Sequence, residues 1–210
     1  MFIEFEKVLK EYNITPTGVV QIGAHYGQEY KIYKKSGIEN LIFFEPLKEI
    51  FSVLSSNVPK SDDILLINSA LGNFVGEVEM FVETANKSQS SSILKPRGHK
   101  YQYPHIKFNK KEKVKITTLD DFFTNVEQKH NVMCIDVQGY ELEVFKGAEK
   151  SLKNIDLIIS EVNRAELYKG NAYVNDLDKF LERFNFKRVE TNWVGQTWGD
   201  AVYIKEDIND

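Results

Sequence analysis

The sequence predicts one α/β domain built on a mostly parallel sheet with helices on both faces, and three observations lead there. Five short runs, residues 19–24, 41–45, 64–68, 132–137 and 157–162, are rich in Val, Ile, Leu or Phe and bounded by polar or turn residues. Their near-continuous apolarity is that of strands covered on both sides, as a parallel sheet requires. Stretches with helical periodicity lie between them, and strand–helix alternation with right-handed crossovers is the α/β pattern. The chain has 210 residues, no internal repeat and no low-complexity linker, so residues 1–210 are expected to form a single domain.

At the N-terminus, Phe2, Phe5, Val8, Leu9 and Tyr12 recur at helical spacing. The charges on Glu4, Glu6, Lys7, Lys10 and Glu11 argue against a signal peptide. Strand 19–24 is followed by a helix at 28–36, strand 41–45 by a helix at 47–57, and strand 132–137 by a helix at 140–152. Residues 76–83 alternate as a half-buried strand should. Leu177, Phe180, Leu181 and Phe184 mark a further helix. Two strands, 186–191 and 201–205, then form a hairpin that adds an antiparallel edge. Residues 84–115 read as an irregular excursion, rich in Ser and then in Lys, either a substrate lid or a solvated, partly disordered loop.

Lys and Arg number 27 against 31 Asp and Glu, a net charge of −4, which argues against a general nucleic-acid binder. The single cysteine, Cys134, cannot form an internal disulfide and fits a reducing compartment. No apolar run is long enough to span a bilayer. These features lead to the expectation of a soluble, cytoplasmic protein.

Candidate chemistry begins where the first strand ends, at Gln21-Ile22-Gly23-Ala24-His25-Tyr26-Gly27. Glycines there permit a tight turn and a close ligand approach, and the following helix is expected to offer unpaired N–H groups and a positive dipole end. This is not the G-x-G-x-x-G of dinucleotide sites. The second strand ends at Glu45-Pro46, where a carboxylate can accept from both hydroxyls of a ribose.

With Phe44-Glu45-Pro46, Asn68-Ser69-Ala70-Leu71-Gly72, Thr118-Leu119-Asp120-Asp121, Ile135-Asp136-Val137-Gln138-Gly139-Tyr140-Glu141, Lys146-Gly147-Ala148 and Ile159-Ser160-Glu161, the chain resembles the FkbM-type methyltransferases over roughly residues 17 to 205. The resemblance implies a Rossmann-like class I methyltransferase fold, a seven-stranded, mostly parallel sheet with an antiparallel C-terminal strand. It also implies S-adenosylmethionine as cofactor and a hydroxyl on a sugar or natural-product scaffold as acceptor. Carried over position by position, Gly23, Ala24, His25 and Gly27 face the cofactor's methionine and adenosine parts. Gln21 meets its amino end, Glu45 with Pro46 holds the ribose, and Ser69, Ala70 and Leu71 lie beside the adenine. Asp136 closes the fourth strand and Glu161 the fifth. Three positions depart from the family pattern: Gln21 and Gln138 stand where acids are usual, and Cys134 where Lys is common.

Methyl transfer to oxygen needs the acceptor held in line behind the methyl group and its proton removed. Asp136 is the first candidate base, His25 the second, and Glu161 the third, as an orienting acid. A divalent cation is an alternative activator, and Asp136 with Glu161 offers two carboxylates for one, too few to commit to a metal. His99 and His105 reach the site if the excursion folds over it; His130 is left out. Tyr101, Tyr103, Trp193 and Trp198 are candidate faces for a sugar ring. Lys107, Lys110 and Lys111 suggest an anionic or nucleotide-linked acceptor. The leading expectation is O-methylation of a sugar or glycan by a protein without nucleic-acid or membrane partners, with the oligomeric state left open. RNA methylation and a non-catalytic cofactor-binding module are the alternatives.

Overall fold

The computed structural model describes residues 3–206; Phe2 of the N-terminal stripe lies outside them. The elements run α1 (Phe5–Glu11), β1 (Gly18–Ile22), α2 (Tyr30–Lys35), β2 (Asn40–Phe44), α3 (Lys48–Asn57), β3 (Ile64–Ile67), β4 (Ala70–Leu71), β5 (Gly76–Val82) and α4 (His99–Gln102). They continue as β6 (Lys110–Thr117), α5 (Leu119–Phe122), β7 (Val132–Ile135), α6 (Glu141–Lys146), β8 (Leu157–Asn163), α7 (Val174–Glu182), β9 (Phe186–Val194) and β10 (Trp198–Lys205).

Seven strands form one sheet in the order β3-β2-β1-β7-β8-β10-β9. The first five are mutually parallel, and β10 runs antiparallel to both β8 and β9. This is the predicted class I arrangement. The chain order reverses beside β1, between β2 and β7, where open α/β sheets place their ligand crevice.

Apolar side chains on both faces explain the unbroken apolar runs. Val20, Ile22, Ile42, Phe44 and Ile135 pack against α6 and α7 through Val144, Phe145, Leu177 and Leu181. Their neighbours Val19, Leu41, Phe43 and Cys134 pack on the other face against Phe5 and Val8 of α1, Tyr33 of α2 and Leu54 of α3. Cys134 is fully buried, as a core residue.

The structure departs from expectation in three elements. The helix expected over 140–152 stops at Lys146, and a 3-10 turn covers Ser151–Asn154. Gly147 separates them because a Cβ there would lie 1.9 Å from the Gly72 carbonyl oxygen. The irregular segment ends before Lys110, where β6 pairs antiparallel with β5 and parallel with β4 in a second, three-stranded sheet. The loop of the C-terminal hairpin is shorter than expected, because β9 runs on to Val194 and β10 begins at Trp198. Several quoted motif residues brace the fold. Thr118 accepts from the Asp121 N–H at 2.9 Å, and Asp120 accepts from the Lys150 and Ser151 N–H groups.

Candidate active site

The carboxyl ends of β1, β2, β7 and β8 open into a cavity of about 590 Å³. That size suits a small-molecule site. Gln21, Gly23, Ala24, His25, Glu45, Pro46, Ser69, Ala70, Leu71, Asp136 and Glu161 all line it. Gly27 does not. Its left-handed backbone (φ +75°) turns the chain against α3, where a Cβ would meet Leu54 at 2.7 Å. The excursion does fold over the opening, and His99, Tyr103 and His105 join the lining.

From Gly23 to Gly27 the backbone N–H groups of the turn after β1 are all engaged within the protein. The Gly23 and Ala24 N–H groups both donate to the Phe44 carbonyl, at 3.0 and 2.9 Å. His25 N–H donates to Glu45 Oε2 at 3.0 Å, Tyr26 N–H to Gln28 Oε1 at 3.2 Å, and Gly27 N–H to the Ala24 carbonyl at 2.8 Å. The helix itself begins only at Tyr30. Gly23 has φ +76°, and a Cβ on it would fall 1.9 Å from the Asp136 carbonyl oxygen, so the tips of β1 and β7 approach only because glycine is there.

Glu45 is 5% exposed, and its Oε1 accepts from the Leu47 N–H at 2.9 Å. Burial pushes its pKa up to about 7, against the pull of the two N–H donors. Its remaining lone pairs suit two hydroxyl donors.

His25 is poorly placed as a base. Its Nε2–H donates to the Lys87 carbonyl at 2.7 Å, and its Nδ1 accepts from Gln28 Nε2 at 2.9 Å. Both nitrogens are spent tying the turn to the excursion. His25, Lys87 and Ser88 all hold positive φ where they meet. Such strain persists only where the surroundings enforce it.

At the floor of the cavity Gln138 bridges the two strand-end acids. Its amide Nε2 donates to Asp136 Oδ1 and to Glu161 Oε2, each at 2.7 Å. Its Oε1 lies 2.8 Å from the Tyr168 hydroxyl, which shares its one hydrogen with the Ser90 carbonyl at 2.9 Å. Ser92 donates to the Gln138 carbonyl at 2.8 Å. Gln138 sits at φ +54°, in a turn held by Glu141, which accepts from the Val137 and Gly139 N–H groups. Glu161 is 4% exposed, and burial, followed by the nearby charges of Asp136, Glu141 and Asp200, raises its pKa well above the usual range. Both causes favour its protonated form. By sequence alone Gln138 is a lost carboxylate. The structure makes it the link between two carboxyls and, through Tyr168, the excursion. Tyr168, Glu29 and Asp200 had no sequence signal, since only the fold gathers them.

Trp198 and Tyr103 line the cavity together, the indole N–H donating to the phenol at 3.0 Å. Trp193 instead stacks under Arg164 at 3.4 Å, and Tyr101 is 86% exposed. Among the described residues no Lys or Arg lines the cavity, whereas Glu29, Glu45, Asp136, Glu161 and Asp200 do. The expected basic surface for an anionic acceptor is absorbed elsewhere. Lys110 pairs with Glu112 and Glu49, Lys111 with Glu79, and Lys113 with Glu77, on the second sheet and its flank. Lys107 donates to the Pro104 carbonyl at 2.7 Å. Among the described residues, no group of three or more His, Cys, Asp or Glu could hold a metal ion, and no helix is long and apolar enough to cross a membrane.

The chain is 23% identical over 173 residues to the 2-O-methyltransferase NoeI of Sinorhizobium fredii (strain NBRC 101917 / NGR234), covering 79% of this chain and 71% of NoeI. Among solved structures it is similar to magnesium protoporphyrin IX methyltransferase (ChlM) from Synechocystis PCC 6803 with bound S-adenosylmethionine. That match has a TM-score of 0.54 at 8% identity over 96% of this chain and 76% of the other. It is also similar to M. capricolum TrmK in complex with S-adenosylhomocysteine, with a TM-score of 0.51 at 9% identity over 100% of this chain and 73% of the other. At these identities the two structures establish the fold alone. Residues 21–188 match the Methyltransferase FkbM domain, from the tip of β1 to the start of β9. The chain belongs to the FkbM methyltransferase family and is an S-adenosylmethionine-dependent methyltransferase.

Proposed function

We propose that this protein transfers a methyl group to a hydroxyl of a neutral sugar or glycan, with Asp136 as the base. The observation that carries the reading is the Asp136–Gln138–Glu161 bridge on the floor of a cavity lined by acids and lacking Lys and Arg. A cavity of that charge suits a cationic sulfonium cofactor and an uncharged acceptor. It disfavours phosphate, and with it RNA, because nothing in the lining neutralises phosphate charge. The relationship to a 2-O-methyltransferase supports oxygen as the atom methylated.

The residues present fit the cofactor. Glu45 would take the ribose hydroxyls on its free lone pairs, and burial without a cationic partner makes such donors favourable. Pro46, Ser69, Ala70 and Leu71 would flank the base, and Gly23 and Ala24 let the cofactor lie against the turn. When bound, the cofactor supplies a methyl group made electrophilic by its sulfonium. The protein's part is positioning and proton removal. Tyr103 and Trp198 would support one face of the sugar ring. Asp136, steadied by Gln138, would accept the hydroxyl proton, while the burial of Glu161 favours its protonated form. The Gln138 amide donates into the space between the two carboxyls where a bridging cation would otherwise sit, so this route uses no metal.

The test is a transfer assay with labelled cofactor against a panel of sugars, glycans and nucleotide-sugars, with and without chelator. Methylation of a neutral sugar hydroxyl that survives chelator and is lost in Asp136→Ala is the expected result. Transfer restricted to phosphorylated or RNA acceptors would overturn the reading.

A further inference from the structure

We propose that Gln21 holds the α-carboxylate at the amino-acid end of the cofactor, donating through its amide nitrogen, rather than accepting from the ammonium group. The assignment rests on the cofactor lying in the cavity as proposed above.

Three observations lead to it. First, the glycine turn itself offers no free backbone donor. Every N–H from Gly23 to Gly27 is already engaged within the protein. A carboxylate arriving against this turn finds no donor in its backbone, and the Gln21 amide is the side-chain donor beside it.

Second, the orientation of the Gln21 amide is set from behind. Gln21 is 3% exposed and lines the cavity. The fully buried Tyr33 donates its hydroxyl to Gln21 Oε1. The Cys134 thiol lies near the Tyr33 hydroxyl, and Cys134 is the register partner of Gln21 across β1 and β7. Burial pushes the Cys134 thiol up to about 12 and the Tyr33 phenol well above its ordinary value, so both keep their hydrogens. The phenol's one hydrogen goes to the amide oxygen. With Oε1 turned to Tyr33, the Nε2 group, which can only donate, is left for the cavity.

Third, the cavity wall already carries an excess of acids, Glu29 and Asp136 among them, suited to an ammonium group, and among the described residues it has no Lys or Arg to meet a carboxylate. Two departures from the family pattern, Gln21 and Cys134, thus stand beside one phenol, and that phenol orients the amide.

The two readings of Gln21 predict opposite signs for one substitution. If the amide accepted from the ammonium group, Gln21→Glu would add a charge there and tighten binding. If it donates to the carboxylate, Gln21→Glu sets like charges against each other. The experiment is isothermal titration of wild type, Gln21→Glu and Tyr33→Phe with three probes. These are S-adenosylhomocysteine, its analogue lacking the carboxylate, and 5′-methylthioadenosine, which lacks the amino-acid end. Gln21→Glu is expected to weaken S-adenosylhomocysteine by about tenfold or more, as loss of a hydrogen bond to a charged group does. Binding of 5′-methylthioadenosine should stay within about twofold, the range expected for a remote contact. Equal or tighter binding of S-adenosylhomocysteine by Gln21→Glu overturns the assignment.

Should that variant fail to fold, wild type and Tyr33→Phe decide. Wild type should bind the decarboxylated analogue about tenfold more weakly than S-adenosylhomocysteine. Tyr33→Phe, which frees the amide to flip, should narrow that gap. An unchanged gap overturns the assignment while leaving the cofactor's place intact. A wild-type protein that binds neither S-adenosylhomocysteine nor 5′-methylthioadenosine overturns the placement and the assignment together.

Discussion

The indole N–H of Trp198 donates to the hydroxyl of Tyr103 at 3.0 Å, joining the last strand of the sheet to the excursion that covers the cavity. Residues far apart in sequence thereby form one wall of the site. Trp198→Phe keeps most of the aromatic surface and removes the donor. A neutral hydrogen bond contributes about 1 kcal/mol, so the acceptor KM should rise about fivefold. Affinity for S-adenosylhomocysteine should not change. Amide hydrogen exchange over residues 99–106 should quicken, and unchanged exchange would show that the contact does not hold the excursion.

Gln138 stands between Asp136 and Glu161, so its loss should be felt in turnover more than in cofactor binding. Gln138→Ala is expected to lower kcat by about 10- to 100-fold, the scale of general-base catalysis. Calorimetry should find little change in S-adenosylhomocysteine affinity. Gln138→Glu places a third carboxyl beside the pair, and like-charge repulsion should move the acid limb of the kcat profile to higher pH. A profile that keeps its wild-type position would remove Gln138 from the machinery.

Glu45 couples cofactor binding to pH. Burial raises its folded-state pKa to about 7, above the ordinary carboxyl value, so the native protein holds a proton that the unfolded chain has released. Its contribution to stability is therefore greatest at low pH and is lost as pH rises toward 7. Ribose hydroxyls donate to the ionised form, so binding should release a proton near pH 6 to 7 and weaken as pH falls below that range. Calorimetry in buffers of different ionisation enthalpy measures this release. Glu45→Gln should abolish it and weaken binding.

Gly23→Ala should destabilise the fold and damage the site together. The added Cβ meets the Asp136 carbonyl at 1.9 Å, and φ +76° strains any side chain there. A cost of about 2–3 kcal/mol lowers Tm by about 5–10 °C in a chain of this size. Gly37→Ala is the control. It has positive φ but nothing within 4 Å of the new Cβ, so it should show only the backbone part of the loss.

The Cys134 thiol should resist labelling at pH 8 in the native protein. It is fully buried, and its pKa is pushed up to about 12. Reaction with a thiol reagent should wait on unfolding, and labelling faster than unfolding would contradict the burial.

Local chemistry made much of this protein legible from its sequence. The five main parallel strands could be read from their apolar runs because each faces two helical layers, and Val19 and Val20 must both be apolar when they point to opposite sides. The glycine turn, Glu45 and Asp136 could be placed at the site because strand ends in a parallel sheet share one edge. What stayed hidden depended on partners remote in the chain. Strand β6 looked like a solvated basic run because its lysines meet glutamates that only pairing with β5 brings alongside. His25 looked like a base until Lys87 and Gln28 took up its nitrogens. Gln21 and Gln138 looked like losses of charge. Their meaning lies in which end of each amide is occupied, and that was decided by Tyr33 and Tyr168, side chains the sequence leaves far away and only tertiary packing delivers. Residue type and spacing set the strands and the acids at their ends; hydrogen-bond direction, which requires every partner in place, belongs to the folded molecule.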